Sequence, residues 1–533
     1  MGREAHRSPM TGAENDGSLL VWGPFRIHPA YATEHFLVAG TTGSGKTVLV
    51  NMLMKSALRS GLRRRALIYD SKQEVIPLLD GMGLRPRTRL LHPFDQRGSA
   101  WDMAKDITGP LSARQVAAIL VPSQDVVGES GSFFIDAVRD LLTGVFLAFI
   151  RCMPNKGSWT FRDVVLAMLY EPYLRAILGL GKTNSLPMLS RLHHSYVEGA
   201  DERTWANIRA TVSTKIAPYE SIAAAWHSAM TDATRPEADR SFSITEWLDD
   251  ASWDSDGFRS ILVLGNDETA RTALDAVNAA LFQRLTELMV SRREQTREEK
   301  AAGENLTWVF LDEVRDAGNL NGLSRLMTKG RSKGVCTVLA FQDIDGLRAV
   351  YGQEIAHEIT GQCNTVAILK LNSPSTAEWG ADLFGSYLAR ESVLSESISP
   401  EGVSYSVAES RQERSVLYTR DLIYLPPTNL ENGLTGFFRH KKSKRDDPLL
   451  FRLNWEQHVQ EHLLSPGSWG NHEPRKEAEH YLAPWGPEDW ARLGLPGNPP
   501  EPYAEQNSDR DDKTDTSSTP QTQANGKQRD FRS

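Results

Sequence analysis

Short apolar runs bounded by turn residues occupy both ends of the chain, while helical spacing dominates its middle. HFLVAG (35–40) predicts a strand. A glycine-rich turn follows, and TVLVNMLMKSALRSG then repeats apolar residues at helical spacing, with Gly61 as a stop. RRRALIYDSK (63–72) and RTRLLHPFD (87–95) predict two more strands. From about residue 111 strand signals disappear. SARQVAAILV, FFIDAVRDLLTGVFLAFI, TFRDVVLAMLY and RTWANIRATVSTKIAPY carry apolar residues at helical spacing, so 111–250 predicts an all-α insertion. Strand signals return in RSILVLG (259–265), LTWVFLDE (306–313), VCTVLAFQ (335–342), NTVAILKL (364–371) and LTGFFRH (434–440), with helical stretches between the first three and after the fourth. This alternation implies an α/β fold, a mostly parallel sheet covered on both faces.

Composition narrows the class. With 40% hydrophobic and 24% charged residues in 533, the chain is an ordinary globular protein of several domains. Its net charge of −8 excludes a uniformly basic surface, so any nucleic-acid contact belongs to a local patch or a pore. Cys152, Cys336 and Cys363 share no metal-binding spacing and read as reduced core thiols of a cytosolic protein. The most apolar run, Leu141–Ile150, is far short of the roughly 20 residues that span a bilayer. The polar start reads as neither a signal peptide nor a myristoylation site.

Candidate chemistry begins at Gly40. Gly40, Thr41, Thr42, Gly43, Ser44, Gly45, Lys46 and Thr47 spell GTTGSGKT, the Walker A pattern, between a strand and a helix as that motif requires. The glycines let backbone N–H groups turn inward to cradle phosphates at a helix N-terminus. Lys46 would reach the β- and γ-phosphates of ATP, and the Thr47 hydroxyl would hold Mg²⁺. Downstream, TWVFLDE ends a buried strand on an acidic pair. Asp312 is the expected second metal residue and Glu313 the expected general base. Gln342 ends the next strand, where it would sense the γ-phosphate or be merely a polar strand end. Arg331 lies in KGRSKG between those strands. It would be an arginine finger for a neighbouring subunit or an exposed surface residue.

The expected organisation is a flexible leader (1–17), a discontinuous nucleotide-binding domain (18–110 and 251–450), the all-α domain (111–250), a C-terminal extension (451–503) and a disordered tail (504–533). The basic run FRHKKSKR (438–445) is a DNA-phosphate contact or a solvated cluster. Arg59, Arg63, Arg64 and Arg65 read as a solvated helix end, and His193–His194 as a pair lacking an acidic partner at ligand spacing, which argues against a metal site. Trp455, Trp469, Trp485 and Trp490 would dock on the body or on a partner. The role of Lys72 is left open.

Together FLVAGTTGSGKT, ALIYDSKQE, HPFDQRGSAWD, SFFIDAVRDLL, LTWVFLDE, LMTKGRSKGVCTVLAFQDIDGLRAVYG and NSPSTAEWGADLFG resemble the DNA-binding and ATPase region of type IV secretion coupling proteins of conjugation, the TraD/TraG-like group, over about 18–450. The resemblance implies a RecA-like P-loop NTPase domain interrupted by an all-helical domain. It also implies a homo-hexameric ring that uses ATP and Mg²⁺ to move DNA, without reading its sequence, from a relaxase complex toward a secretion channel. Lys46, Thr47, Asp312 and Glu313 match the family's motifs, and Arg331 and Gln342 fall where the family places its trans arginine and sensing glutamine. Two departures stand out. Family members carry N-terminal membrane helices, so the expectation here is a cytoplasmic motor, soluble or recruited peripherally to the inner membrane by a separate anchor protein. Val314-Arg315 also replaces the family's aromatic and proline. Three rival readings use the same sequence: a receptor for protein effectors, a nucleotide-binding docking adaptor and a processing helicase.

Overall fold

The predicted apolar runs pair side by side in a computed structural model of the chain, which describes residues 19–59, 61–122, 129–154, 157–255, 257–399, 402–440 and 449–500. The expected leader and tail, and residues 441–445 of the basic run, lie outside the described residues. The strands of the main sheet are β1 (Phe36–Ala39), β2 (Arg64–Asp70), β3 (Thr88–Leu91), β4 (Ile261–Gly265), β5 (Leu306–Leu311), β6 (Val335–Phe341), β7 (Thr365–Ile368), β8 (Leu434–His440) and β9 (Leu449–Leu453). Their order across the sheet is β9-β8-β7-β1-β6-β5-β2-β4-β3. All neighbours from β7 to β3 are parallel, and β8 and β9 add an antiparallel edge.

Alternation divides each strand between two cores. Leu37, Leu67, Val309, Leu311, Leu339 and Phe341 face one side. Phe36, Val38, Ala66, Ile68, Trp308, Phe310, Val338 and Ala340 face the other. Burial on both faces explains why these strands read as unbroken apolar runs. Helix α1 (Lys46–Ala57) covers the second face with a small hairpin, Leu20–Trp22 against Phe25–Ile27. Helix α3 (Arg271–Ser291) covers the first, where its core runs on into a body of helices between Pro110 and Thr231. Within that body α2 (Glu129–Cys152) is the long central helix. No single helix among the described residues is long and apolar enough to cross a membrane. Phe161–Leu169 and Glu171–Thr183 pass that test only as a pair bent by 107°, and both pack in the helical core.

The chain leaves the sheet and returns to it through one neck. Ala100–Trp101 pairs in parallel with Ser241–Phe242. Beneath it Asp106 is fully buried and accepts four hydrogen bonds, from the Trp101 indole (2.7 Å), the Ser243 hydroxyl (3.0 Å) and the N–H groups of Ile244 (2.8 Å) and Thr245 (2.9 Å). The C-terminal extension ties the two bodies a second time. Trp469 lies against the Arg85 and Arg97 guanidinium groups, and Arg475 donates to Pro93 O and Gly98 O at the sheet edge. Further on, Trp485 stacks on Tyr173 at 4.5 Å, and Arg492 pairs with Asp163 in the helical body. Trp469, Trp485 and Trp490 thus dock on the chain's own body, as Trp455 does in part.

Three features depart from the expectations. Arg64 and Arg65 belong to β2 and are 2% and 1% exposed, not a solvated helix end. Arg65 donates to the Trp247 and Asp249 carbonyls, pairs with Asp250 and lies over the Trp253 ring. Arg63, by contrast, is exposed. His193 and His194 do have an acidic partner four or five residues on, since both face Glu198 at 3.3 and 3.4 Å, although no group of three metal-ligating side chains forms among the described residues. Finally, Ser386–Ser399 and Gly402–Ser415 form a long antiparallel hairpin where no strand was expected.

Asp106→Ala leaves four donors in the neck without their acceptor. At about 1–3 kcal/mol for each buried group left unpaired, we expect the helical body's unfolding midpoint in urea to fall sharply, followed by tryptophan fluorescence. An unchanged midpoint would mean the neck contributes nothing.

Candidate active site

Strand order builds the site. β6 lies between β1 and β5, so the loop after β1, the acids after β5 and the residue ending β6 meet at one sheet edge. Gly40 N–H extends the β6 ladder to Phe341 O (3.2 Å), and Thr41 N–H bonds Lys370 O (2.8 Å). The loop then turns into α1 through Gly43 (φ +76°) and Gly45 (φ +97°). Gly45 has no substitute: a Cβ there would lie 2.5 Å from Leu434 Cδ1 and 2.6 Å from Thr428 Oγ1. Gly43 instead faces open space, where an added Cβ would meet nothing within 4 Å. Helix α1 starts with no capping side chain, leaving its first-turn N–H groups to the loop.

Lys46 is 8% exposed and folds onto carbonyls, donating to Gly40 O at 2.7 Å and Thr41 O at 3.3 Å. Burial holds its ammonium below the ordinary lysine range, and nearby Lys72 adds to the effect, against the opposing pull of Glu313 and Asp312. Thr47 Oγ1 donates to Asp312 Oδ2 (3.2 Å). Burial raises the Asp312 carboxyl above its usual range and pushes Glu313 up to about 6. The buried Asp312 Oδ1, Glu313 Oε2 and Ser44 Oγ have no hydrogen-bond partner. Gln342 bridges the two halves: its Oε1 accepts from Thr42 Oγ1 (3.2 Å) and its amide bonds Glu313. The Val314 substitution leaves the turn closed, since Val314 is buried and its N–H bonds Ala340 O.

Arg331 stands apart. It follows helix α4 (Leu323–Gly330), ahead of the first residue of β6, at the opposite sheet edge from Gln342. The seven residues of β6 span roughly 20 Å at ~3.3 Å per residue. The structure therefore brings Lys46, Thr47, Asp312, Glu313 and Gln342 together and leaves Arg331 on the far edge.

Sequence reasoning missed the loop's supports. Thr428 donates its hydroxyl to Ser44 O (2.6 Å) and its N–H to Gly43 O (3.2 Å), and Asn372 bonds Thr41 Oγ1 (3.1 Å). Thr428 carries no motif, and Asn372 opens the block NSPSTAEWGADLFG, which does not reveal its contact with the loop. Lys72 acts on Asp312 and Lys46 through charge, placing it near the acids.

A glycine-rich loop on a central parallel strand, facing acids two strands away across an intervening strand, defines a P-loop NTPase of the RecA-like class. The particular family follows from comparison. The DNA-binding domain of type IV secretion-system coupling proteins matches residues 22–438, and the chain belongs to that family. The bacterial conjugative coupling protein TrwBΔN70 in its unbound form superposes with a TM-score of 0.60 at 20% identity, covering 86% of this chain and 91% of that one. TrwB in complex with ADP and Mg²⁺ gives 0.59 at 19% identity, covering 88% and 94%. TrwB with a non-hydrolysable ATP analogue gives the same values. No curated protein sequence matches the chain.

Gly45→Ala forces a methyl group onto Thr428 and Leu434 from a left-handed backbone, at about 1–2 kcal/mol for the conformation alone. We expect a lower melting temperature and loss of fluorescent-nucleotide binding. Wild-type binding would show that the loop is not the nucleotide's seat.

Proposed function

We propose that the protein is an ATP-driven DNA motor: a hexameric coupling protein that links a relaxase–DNA complex to a type IV secretion channel. The observation that carries this is the division of the site. One sheet edge holds a loop, two buried acids and a glutamine, while Arg331 lies at the other edge, beyond reach of its own loop. Such a chain holds two half-sites, and a ring of copies would complete them.

The residues fit a magnesium nucleotide. Lys46 has only carbonyls for hydrogen-bond partners, Asp312 Oδ1 and Ser44 Oγ are buried without any, and the Cβ side of Gly43 is open. Thr47 and Asp312 would hold Mg²⁺, which when bound neutralises phosphate charge. Gly40 through Thr47 would cradle the phosphates and Lys46 would take the γ-phosphate. Glu313 would accept a proton from the attacking water. Gln342, tied to both Thr42 and Glu313, would report whether the γ-phosphate is present. A neighbour's Arg331 would stabilise charge on the transferring phosphoryl group. Support for DNA as the substrate comes from the family assignment, with TrwB as the conjugative relative of similar fold. With an acidic chain, DNA grip belongs to a pore.

The test is steady-state ATPase activity of the purified chain across protein concentration, with and without single-stranded DNA. Specific activity should rise with both and vanish with EDTA. Lys46→Ala and Arg331→Ala should each be nearly inactive, the latter by about 10³-fold or more. Mixing the two should restore turnover, because each supplies the half-site the other lacks. Inactive mixtures would overturn the shared site, and activity indifferent to DNA would favour a protein substrate.

A further inference from the structure

Arg331 does not hang free. Its Nη2 donates to Glu34 Oε1 at 3.1 Å. The two side chains differ in enclosure: Glu34 is 15% exposed and Arg331 39%. The carboxylate is thus the sheltered partner and the guanidinium the presented one. Its neighbours turn elsewhere, since Ser332 and Lys333 both bond Glu294.

The backbone beneath Glu34 is fixed from several sides. Glu34 O accepts from Asn364 N–H (2.9 Å), and His35 O from Thr365 N–H (3.3 Å). His35 is 1% exposed and holds φ +58°, a conformation that a non-glycine residue keeps only when its surroundings demand it. Its ring supplies that demand. Nδ1 accepts from Thr337 N–H (3.1 Å) and Nε2 donates to Met327 O (2.8 Å), so the imidazole uses one donor and one acceptor, as its neutral form allows. Met327 belongs to α4, which leads into the Arg331 turn, and Thr337 to β6, which leads out of it. Gly334, at φ +83°, closes the turn between them.

We infer that Glu34 is a positioning residue: anchored through His35 to both flanks of the Arg331 turn, it aims the guanidinium at a neighbouring chain's nucleotide. The inference rests on the reading of Arg331 as a residue that acts in trans. An isolated surface ion pair contributes little to stability. A pair built on an enclosed carboxylate and a strained, fully bonded histidine instead fixes direction.

The test uses the full chain at a concentration where specific activity is maximal. Glu34→Ala should lower kcat by about tenfold or more, as expected for a misplaced catalytic group, with KM for ATP unchanged. Glu34→Asp should recover part of the loss. In an Arg331→Ala background, Glu34→Ala should cost nothing further. A chain carrying both Lys46→Ala and Glu34→Ala should rescue Arg331→Ala chains less well than one carrying Lys46→Ala alone. If Arg331→Ala abolishes turnover while Glu34→Ala retains full kcat, the positioning role is wrong and the trans reading stands. If Arg331→Ala itself retains full kcat, the trans reading falls and the inference with it. If Glu34→Ala lowers kcat equally with and without Arg331, or lowers the melting temperature enough to account for the loss, its role is structural and the inference is overturned.

Discussion

Everything chemical in this chain hangs on one strand lying between two others. Val335–Phe341 separates Phe36–Ala39 from Leu306–Leu311 along their length. At ~4.8 Å per strand spacing, this sets the strand carrying the loop and the strand carrying the acids about 10 Å apart, a distance that the Thr47 and Asp312 side chains close to 3.2 Å. Gln342, ending the strand between them, bonds the loop at Thr42. The same strand begins next to Arg331. A single element thus runs from the loop and acids at one end to the Arg331 turn at the other.

The site this strand organises is electrostatically unfinished. Lys46, Asp312 and Glu313 are drawn out of water at the end of an apolar sheet, and burial moves each toward its neutral form. Thr47 satisfies one oxygen of Asp312, but other polar atoms there have no partner. Buried groups in that condition cost stability until something supplies the missing bonds. A ligand with phosphates and a divalent cation is the kind that would, and its binding would stabilise the fold by linkage.

How much of this was legible depends on whether a feature is local. The glycine loop, the acidic pair and Gln342 each sit at the end of an apolar strand, so short windows of sequence located them. Strand burial on both faces made β1, β5 and β6 easy to read. The contacts of Thr428 and Asn372 were not legible, although Asn372 opens NSPSTAEWGADLFG, because sheet topology alone brings both to a loop more than 300 residues earlier. Arg64 and Arg65 misled because charge suggests solvent. Only the fold shows how backbone carbonyls bury them, those of Trp247 and Asp249 taking Arg65 and that of Ala57 taking Arg64. The hairpin beyond Ser386 was missed because its strands are rich in serine and charge, with little apolar alternation. Glu34 has no motif at all, and its partner lies 297 positions away.

The strand order also governs how such a chain comes off the ribosome. None of the first three strands neighbours another: β1 lies between β6 and β7, β2 between β4 and β5, and β3 beside β4. Their partners begin only at Ile261, after the whole helical body has been made. At about 5–20 residues per second, β2 waits many seconds with unpaired edges. Helices close through local contacts, whereas this sheet depends on contacts between distant segments, the slow class. The helical body can therefore be folded before the nucleotide domain exists. During that interval, three apolar strands near the N-terminus are the part of the nascent protein most in need of shelter from aggregation.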